Sequence, residues 1–168
     1  MAKKVAESGM LVALAMIFSY VETLIPFNFG VPGMKLGLAN LAVVTALYLM
    51  GAGQAFMISL LRILLISITF GNMSAMMYSL AGGMLSFGAM ALLAGRKGFS
   101  VVGVSVLGGA MHNVGQLLAA ALVVENFQVI YYLPPLLAGG VVTGLLIGLA
   151  AGRILPPLKK VFQKRKQL

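Results

Sequence analysis

The sequence predicts an all-α membrane protein of six transmembrane helices with both termini in the cytoplasm. Three observations predict it. Hydrophobic residues make up 61% of the 168-residue chain and charged residues 9%, against roughly 45–50% apolar and about 25% charged in soluble domains. The apolar residues fall into runs close to the about 20 residues with which a helix crosses roughly 30 Å of hydrocarbon. Lys and Arg gather at one set of run ends, and three acidic and twelve basic side chains are too few to cover a soluble domain of this length.

Turn signals divide the apolar sequence into six spans, Val5–Leu24, Leu36–Met50, Ala55–Phe70, Met73–Ala94, Val101–Val124 and Pro135–Leu155. The first run lacks an A-x-A cleavage signature after it and is read as a retained helix rather than a signal peptide. The second and third are short. The Gly51-Ala52-Gly53-Gln54 link between them carries two glycines and is expected to turn the chain into a hairpin shielded by its neighbours.

Cytoplasmic loops retain Lys and Arg, so the charge bias gives the orientation. With six spans, one side collects Lys3, Lys4, Arg96, Lys97, Lys159, Lys160, Lys164, Arg165 and Lys166, with Arg153 close by. The other side has Lys35 alone, and Glu125 lies in its last loop. Five or seven spans would destroy this bias, so the expectation is N-in and C-in, multi-pass, in the cell membrane. Residues 156–168, which open with Pro156-Pro157, are expected to form a basic cytoplasmic tail resting on anionic lipid. The net charge of +9 is therefore assigned to topology and not to nucleic acid.

Small residues recur along several spans. Gly140, Gly144, Gly148 and Gly152 repeat at every fourth position of the last one, which aligns them on one helical face and admits a second backbone. Ala75, Ser79, Gly82, Ser86 and Ala89 do the same in the fourth span, and Ala2, Ala6, Gly9 and Ala13 in the first. Packing within the bundle is the default reading for the fourth and sixth spans, and docking of a separate protein is the sharper alternative.

Polar residues inside a bilayer are costly and mark candidate sites. Arg62 lies midway along the third span; its permanently charged guanidinium needs anionic or carbonyl partners. Glu22 is the preferred internal partner, with a ligand carboxylate or phosphate as the alternative, while Glu7 is expected to pair with Lys3 or Lys4. In the fifth span His112 and Gln116 share a face with Asn113 beside them. Both interhelical hydrogen bonding and ligand coordination are compatible with that density. A metal is not expected at the chain's only histidine, which has no carboxylate or thiol near it in sequence. Residues 26–35, rich in Pro, Gly and aromatics, read as an apolar lid over the outer end, and Lys35 and Asn40 follow it.

The chain has no aspartate and no cysteine, and its three Glu are scattered. Magnesium-dependent diphosphate chemistry needs clustered carboxylates. No GxxxxGK[ST] phosphate loop and no nucleophile–base pair is present. The expectation is a protein that is not an enzyme and has no cofactor.

Pro32-Gly33-Met34-Lys35-Leu36-Gly37-Leu38-Ala39-Asn40-Leu41, followed by Arg62, Phe70-Gly71, Ser79-Leu80-Ala81-Gly82-Gly83 and His112-Asn113-Val114-Gly115-Gln116, resembles the Gx transporter family, also called heptaprenyl diphosphate synthase component I. The likeness covers nearly the whole chain, and that family is similar to the S components of energy-coupling factor transporters. It implies a six-helix N-in/C-in bundle with a ligand pocket near the outer face, in a bacterial inner membrane. It also implies docking to a transmembrane coupling subunit with its ATPase subunits through a small-residue motif on the first helix, which Gly9-x-x-x-Ala13 matches in spacing.

The expected function is thus a substrate-binding membrane subunit for a small molecule, with Lys35, Asn40, Arg62, His112, Asn113 and Gln116 lining or gating the pocket. The resemblance implies association with quinone-prenyl synthesis and flavin-based extracellular electron transfer, and so an isoprenoid-, quinone- or flavin-related ligand. The rival readings are a membrane scaffold or quinone- or flavin-binding electron-transfer component, and then an accessory to prenyl diphosphate synthesis.

Overall fold

The computed structural model describes residues 2–24 and 37–164. Within them the chain forms six helices: α1 (Ala2–Leu24), α2 (Leu38–Met50), α3 (Ala52–Phe70), α4 (Met73–Leu93), α5 (Val101–Val123) and α6 (Leu133–Lys164), with a single 3-10 segment, Phe127–Tyr132, leading into α6. The described residues contain no strand. The proposed lid, residues 26–35, and with it Lys35, lies outside them.

Local chemistry explains where the helices start and turn. Asn72 accepts from the Ala75 amide at 2.8 Å and caps α4, and Ser100 accepts from the Gly103 amide at 3.1 Å and caps α5. Two of the boundaries that differ from the sequence reading have a clear local cause. The link between α2 and α3 is Gly51 alone, with φ 90° and ψ 171°. A backbone conformation open to glycine redirects the chain in one residue, so Ala52, Gly53 and Gln54 join α3. The third span is therefore 19 residues long and not short. At the other end of the chain, α6 runs through Pro156 and Pro157 to Lys164 instead of stopping at Leu155. Each proline removes a bond to the carbonyl four residues back, here those of Gly152 and Arg153. Both residues are exposed, where water or headgroups satisfy the freed oxygens.

Close approaches give the register. A Cβ on Gly140 would meet the Gly109 carbonyl, one on Gly144 the Ser105 carbonyl at 2.7 Å, and one on Gly148 the Val102 Cα at 2.7 Å. Residue numbers fall along α5 as they rise along α6, so the two run antiparallel. Gly82 against Gln116, with Gly108 against Met90, gives the same relation between α4 and α5. Three of the four stripe glycines of α6 thus serve this contact, while a side chain on Gly152 would meet open space.

Antiparallel neighbours give the bundle two distinct halves. One half holds the α1 start, the α4–α5 turn with Arg96 and Lys97, and the α6 extension with Lys159 and Lys160. Its interior is an apolar core to which every helix contributes, including Leu11, Val44, Ile58, Met90, Val104 and Ile147. Outside, large apolar side chains such as Met10, Ile68, Met84, Leu122 and Leu146 stand exposed. A water-facing surface would not carry so extensive an apolar covering, and among the described residues five helices are long and apolar enough to cross a membrane. The protein is a multi-pass membrane protein. The thirteen-residue α2 spans only about 20 Å, and seven of its residues are buried, so its neighbours shelter it.

Helices in lipid gain from backbone approach and not from hiding apolar surface from water. Gly109→Ala and Gly144→Ala should therefore each destabilise the protein by about 1–3 kcal/mol through overpacking. Gly152→Ala should be neutral or stabilising, by up to about 1 kcal/mol of helix propensity. Reversible unfolding in mixed micelles measures all three, and equal effects at Gly144 and Gly152 would contradict this packing.

Candidate functional site

The half of the bundle opposite the basic residues encloses a cavity of about 100 Å³ to which all six helices contribute. Ser19 and Glu22 reach it from α1, Asn40 from the first turn of α2, and Arg62 and Ser67 from α3. Ser79 comes from α4, His112, Asn113 and Gln116 from α5, and Thr143 from α6. Ile63 and Ile66 supply apolar wall. Below it, the apolar core of the basic half closes the bundle.

Arg62 is the centre of this arrangement. It is 8% exposed, and its Nη2 donates to Asn40 Oδ1 at 3.0 Å. Its Nε is buried with no hydrogen-bond partner among the described residues. Glu22, the partner preferred from sequence, lies within electrostatic reach of the guanidinium, and it also accepts the Leu38 amide at 2.8 Å. That bond ties the α1 carboxylate to an amide that the start of α2 leaves unsatisfied, where a negative charge also meets the helix dipole. Gly37, with φ 74°, turns the chain into α2 just before it.

On the α5 side the two readings left open for the polar cluster divide between residues. Asn113 is 8% exposed and its Nδ2 donates to the Leu136 carbonyl at 2.6 Å, so it joins α5 to α6. His112 and Gln116 lie over Gly82 of α4. A Cβ there would stand 2.8 Å from Gln116 Cγ and 3.1 Å from His112 Nδ1. Gly82 is therefore a spacer that lets α4 pass behind the two side chains.

The cavity brings together Asn40, Arg62, His112, Asn113 and Gln116; Lys35 belongs to the undescribed segment. Sequence reading did not single out Ser19, Ser67 or Thr143 as cavity residues, and it noted Ser79 as a small packing residue and as part of the family resemblance, not as a cavity residue. Hydroxyls on apolar helices carry little signal because they can bond their own backbone, as Thr143 does to Gly140 O at 3.3 Å. Gly9 and Ala13 lie elsewhere, on an exposed face of α1, and a side chain at Gly9 would meet nothing within 4 Å. Among the described residues no three His or Glu side chains cluster as a metal site would require.

Gly82→Ala should move the single histidine: its imidazole resonances in a nanodisc sample should shift, with a stability loss of about 1–3 kcal/mol. Gly88→Ala, where added bulk meets open space, should leave them in place. Asn113→Leu should cost about 0.6 kcal/mol, the mean for an interhelical bond in a membrane bundle. An unmoved histidine in Gly82→Ala would refute the geometry.

Comparison with known proteins gives one family. The family model described as heptaprenyl diphosphate synthase component I matches residues 11–154. No curated protein and no solved structure matches the chain. The matched segment runs from α1 into α6 and holds every described residue of the cavity, and the chain belongs to this family.

Proposed function

We propose that this member of the heptaprenyl diphosphate synthase component I family, the Gx transporter family, is the substrate-binding membrane subunit of an energy-coupling-factor-type uptake system. The observation that carries the reading is the convergence of polar side chains from all six helices on one cavity, in the half of the bundle away from the basic residues. The positive-inside bias puts the basic half in the cytoplasm and the cavity toward the outside. A ligand arriving from outside then meets Arg62, Asn40, His112, Asn113 and Gln116, with Lys35 just before Gly37 in the chain, and the apolar core bars the way inward.

A binding subunit of this kind supplies no energy, so a transmembrane coupling subunit with its ATPases is the partner the function requires. The exposed Gly9 and Ala13 on α1 support a docking face there. Among the described residues Gly9 serves no close contact, so its smallness is free to admit a neighbouring helix. The synthase part of the family name finds no chemical support in the cavity: Glu22 is the one carboxylate among its described lining residues, and ionised diphosphate held through magnesium calls for several. We therefore read the chain as a binding protein and not an enzyme.

Co-expression with a coupling subunit and its ATPases tests this. A tagged wild-type chain should bring down the whole complex, and Gly9→Leu and Ala13→Leu should each lower the yield at least about tenfold, a loss of roughly 1.4 kcal/mol or more. Gly88→Leu, equally open but on α4, should retain it. Absence of any complex with the wild type would overturn the uptake reading and favour a stand-alone membrane binding or scaffold protein.

A further inference from the structure

We propose that the cavity seats the carboxylate of a compact organic acid on Arg62 and Asn40; this assignment rests on reading the cavity as the substrate site. The hydrogen-bond inventory leads to it. A guanidinium carries five N–H donors and no acceptor. Arg62 gives one bond to Asn40 Oδ1 and keeps a buried Nε without an acceptor among the described residues. A charged group buried in that state is short of partners. The same bond orients Asn40: its oxygen faces Arg62, so its amide NH2 is left to donate elsewhere. The α2 and α3 wall therefore presents donors, and a carboxylate matches the guanidinium fork with two parallel bonds.

The α5 and α6 side of the cavity offers acceptors. Thr143 spends its hydroxyl proton on Gly140 O, which leaves its oxygen to accept. Asn113 spends an amide proton on Leu136 O, and its Oδ1 is left to accept as well. A ligand seated by its carboxylate thus finds acceptors for a hydroxyl, amine or ring N–H at its other end.

Charge and size narrow the class. Arg62 is the one permanent cation among the described lining residues, and the Glu22 carboxylate shares the cavity with it. With Glu22 already offsetting the guanidinium, a carboxylate adds a single negative charge to the described lining, whereas a diphosphate adds several. The cavity of about 100 Å³ is also well below the roughly 300–1,000 Å³ of sites that hold drug-sized molecules.

The full chain, labelled with 15N-arginine in phosphatidylcholine nanodiscs, can be titrated with sodium acetate, acetamide and inorganic phosphate at constant ionic strength. The Arg62 Nε–H resonance is identified by its loss in Arg62→Lys and, independently of how that variant folds, by elimination with Arg96→Lys, Arg153→Lys and Arg165→Lys. Acetate should shift it saturably in the millimolar range, with acetamide and phosphate weaker by about tenfold or more. Asn40→Leu should weaken acetate by a similar factor. A resonance that acetate leaves unmoved, or that acetamide or phosphate moves as readily, would overturn the proposal. The titration uses one chain and no partner, so loss of the coupling complex leaves its result standing, and its failure leaves the complex untouched.

Discussion

A guanidinium held inside an apolar bundle sets the terms for everything around it. Placing arginine at the centre of a membrane helix costs about 2.5–3.5 kcal/mol on insertion scales and more without local partners. Arg62 meets that cost with the Asn40 amide and the field of Glu22. Each partner lies where another constraint holds it. Asn40 is in the first turn of α2, and Glu22 is fastened to the amide of Leu38 at the start of the same helix. The charge on α3 thereby fixes how the end of α1 meets the beginning of α2. The short, sheltered α2 is the helix through which this polar network connects.

The other wall of the cavity is built by a different force. Gly82, Gly109, Gly115, Gly140, Gly144 and Gly148 bring α4, α5 and α6 to backbone contact, which yields dispersion contacts that lipid does not supply. Three helices packed this closely form a stiff backing for His112, Asn113 and Gln116. Polar residues facing a rigid wall keep their positions without a ligand, which lowers the ordering cost of binding one. The apolar core of the basic half then separates this cavity from the other side of the bundle. Polar cavity and apolar seal are thus two layers of one set of helices.

Much of this was legible in the sequence because bilayer physics writes long signals. Apolar runs located all six helices, and the four-residue glycine period announced a close backbone approach, which the structure assigns to α5 through Gly140, Gly144 and Gly148. Costly residues stood out for the same reason: Arg62, His112, Asn113 and Gln116 are conspicuous on apolar helices. Short-range features were harder to read. Gly51 turns the chain alone because one positive φ suffices, whereas a pair of glycines reads as a longer link. Pro156-Pro157 reads as a stop, yet exposed carbonyls let α6 continue. Ser19, Ser67 and Thr143 were hidden because a hydroxyl on a helix fits a packing role and a cavity role equally well. Partner choice was hidden too. Charge alone favoured Glu22 for Arg62, and only three-dimensional placement brought Asn40 within hydrogen-bond distance.

The dependence of the site on Arg62 and Asn40 acting as a unit can be measured directly by a double-mutant cycle on reversible unfolding, with Arg62→Met, Asn40→Leu and the double variant. If the two hold each other, the second substitution should cost little once the first is made, giving a coupling of about 1–3 kcal/mol. Additive losses, with a coupling within about 0.5 kcal/mol of zero, would contradict the account: Arg62 would then draw its support from elsewhere, and the cavity would have no donor wall built on that pair.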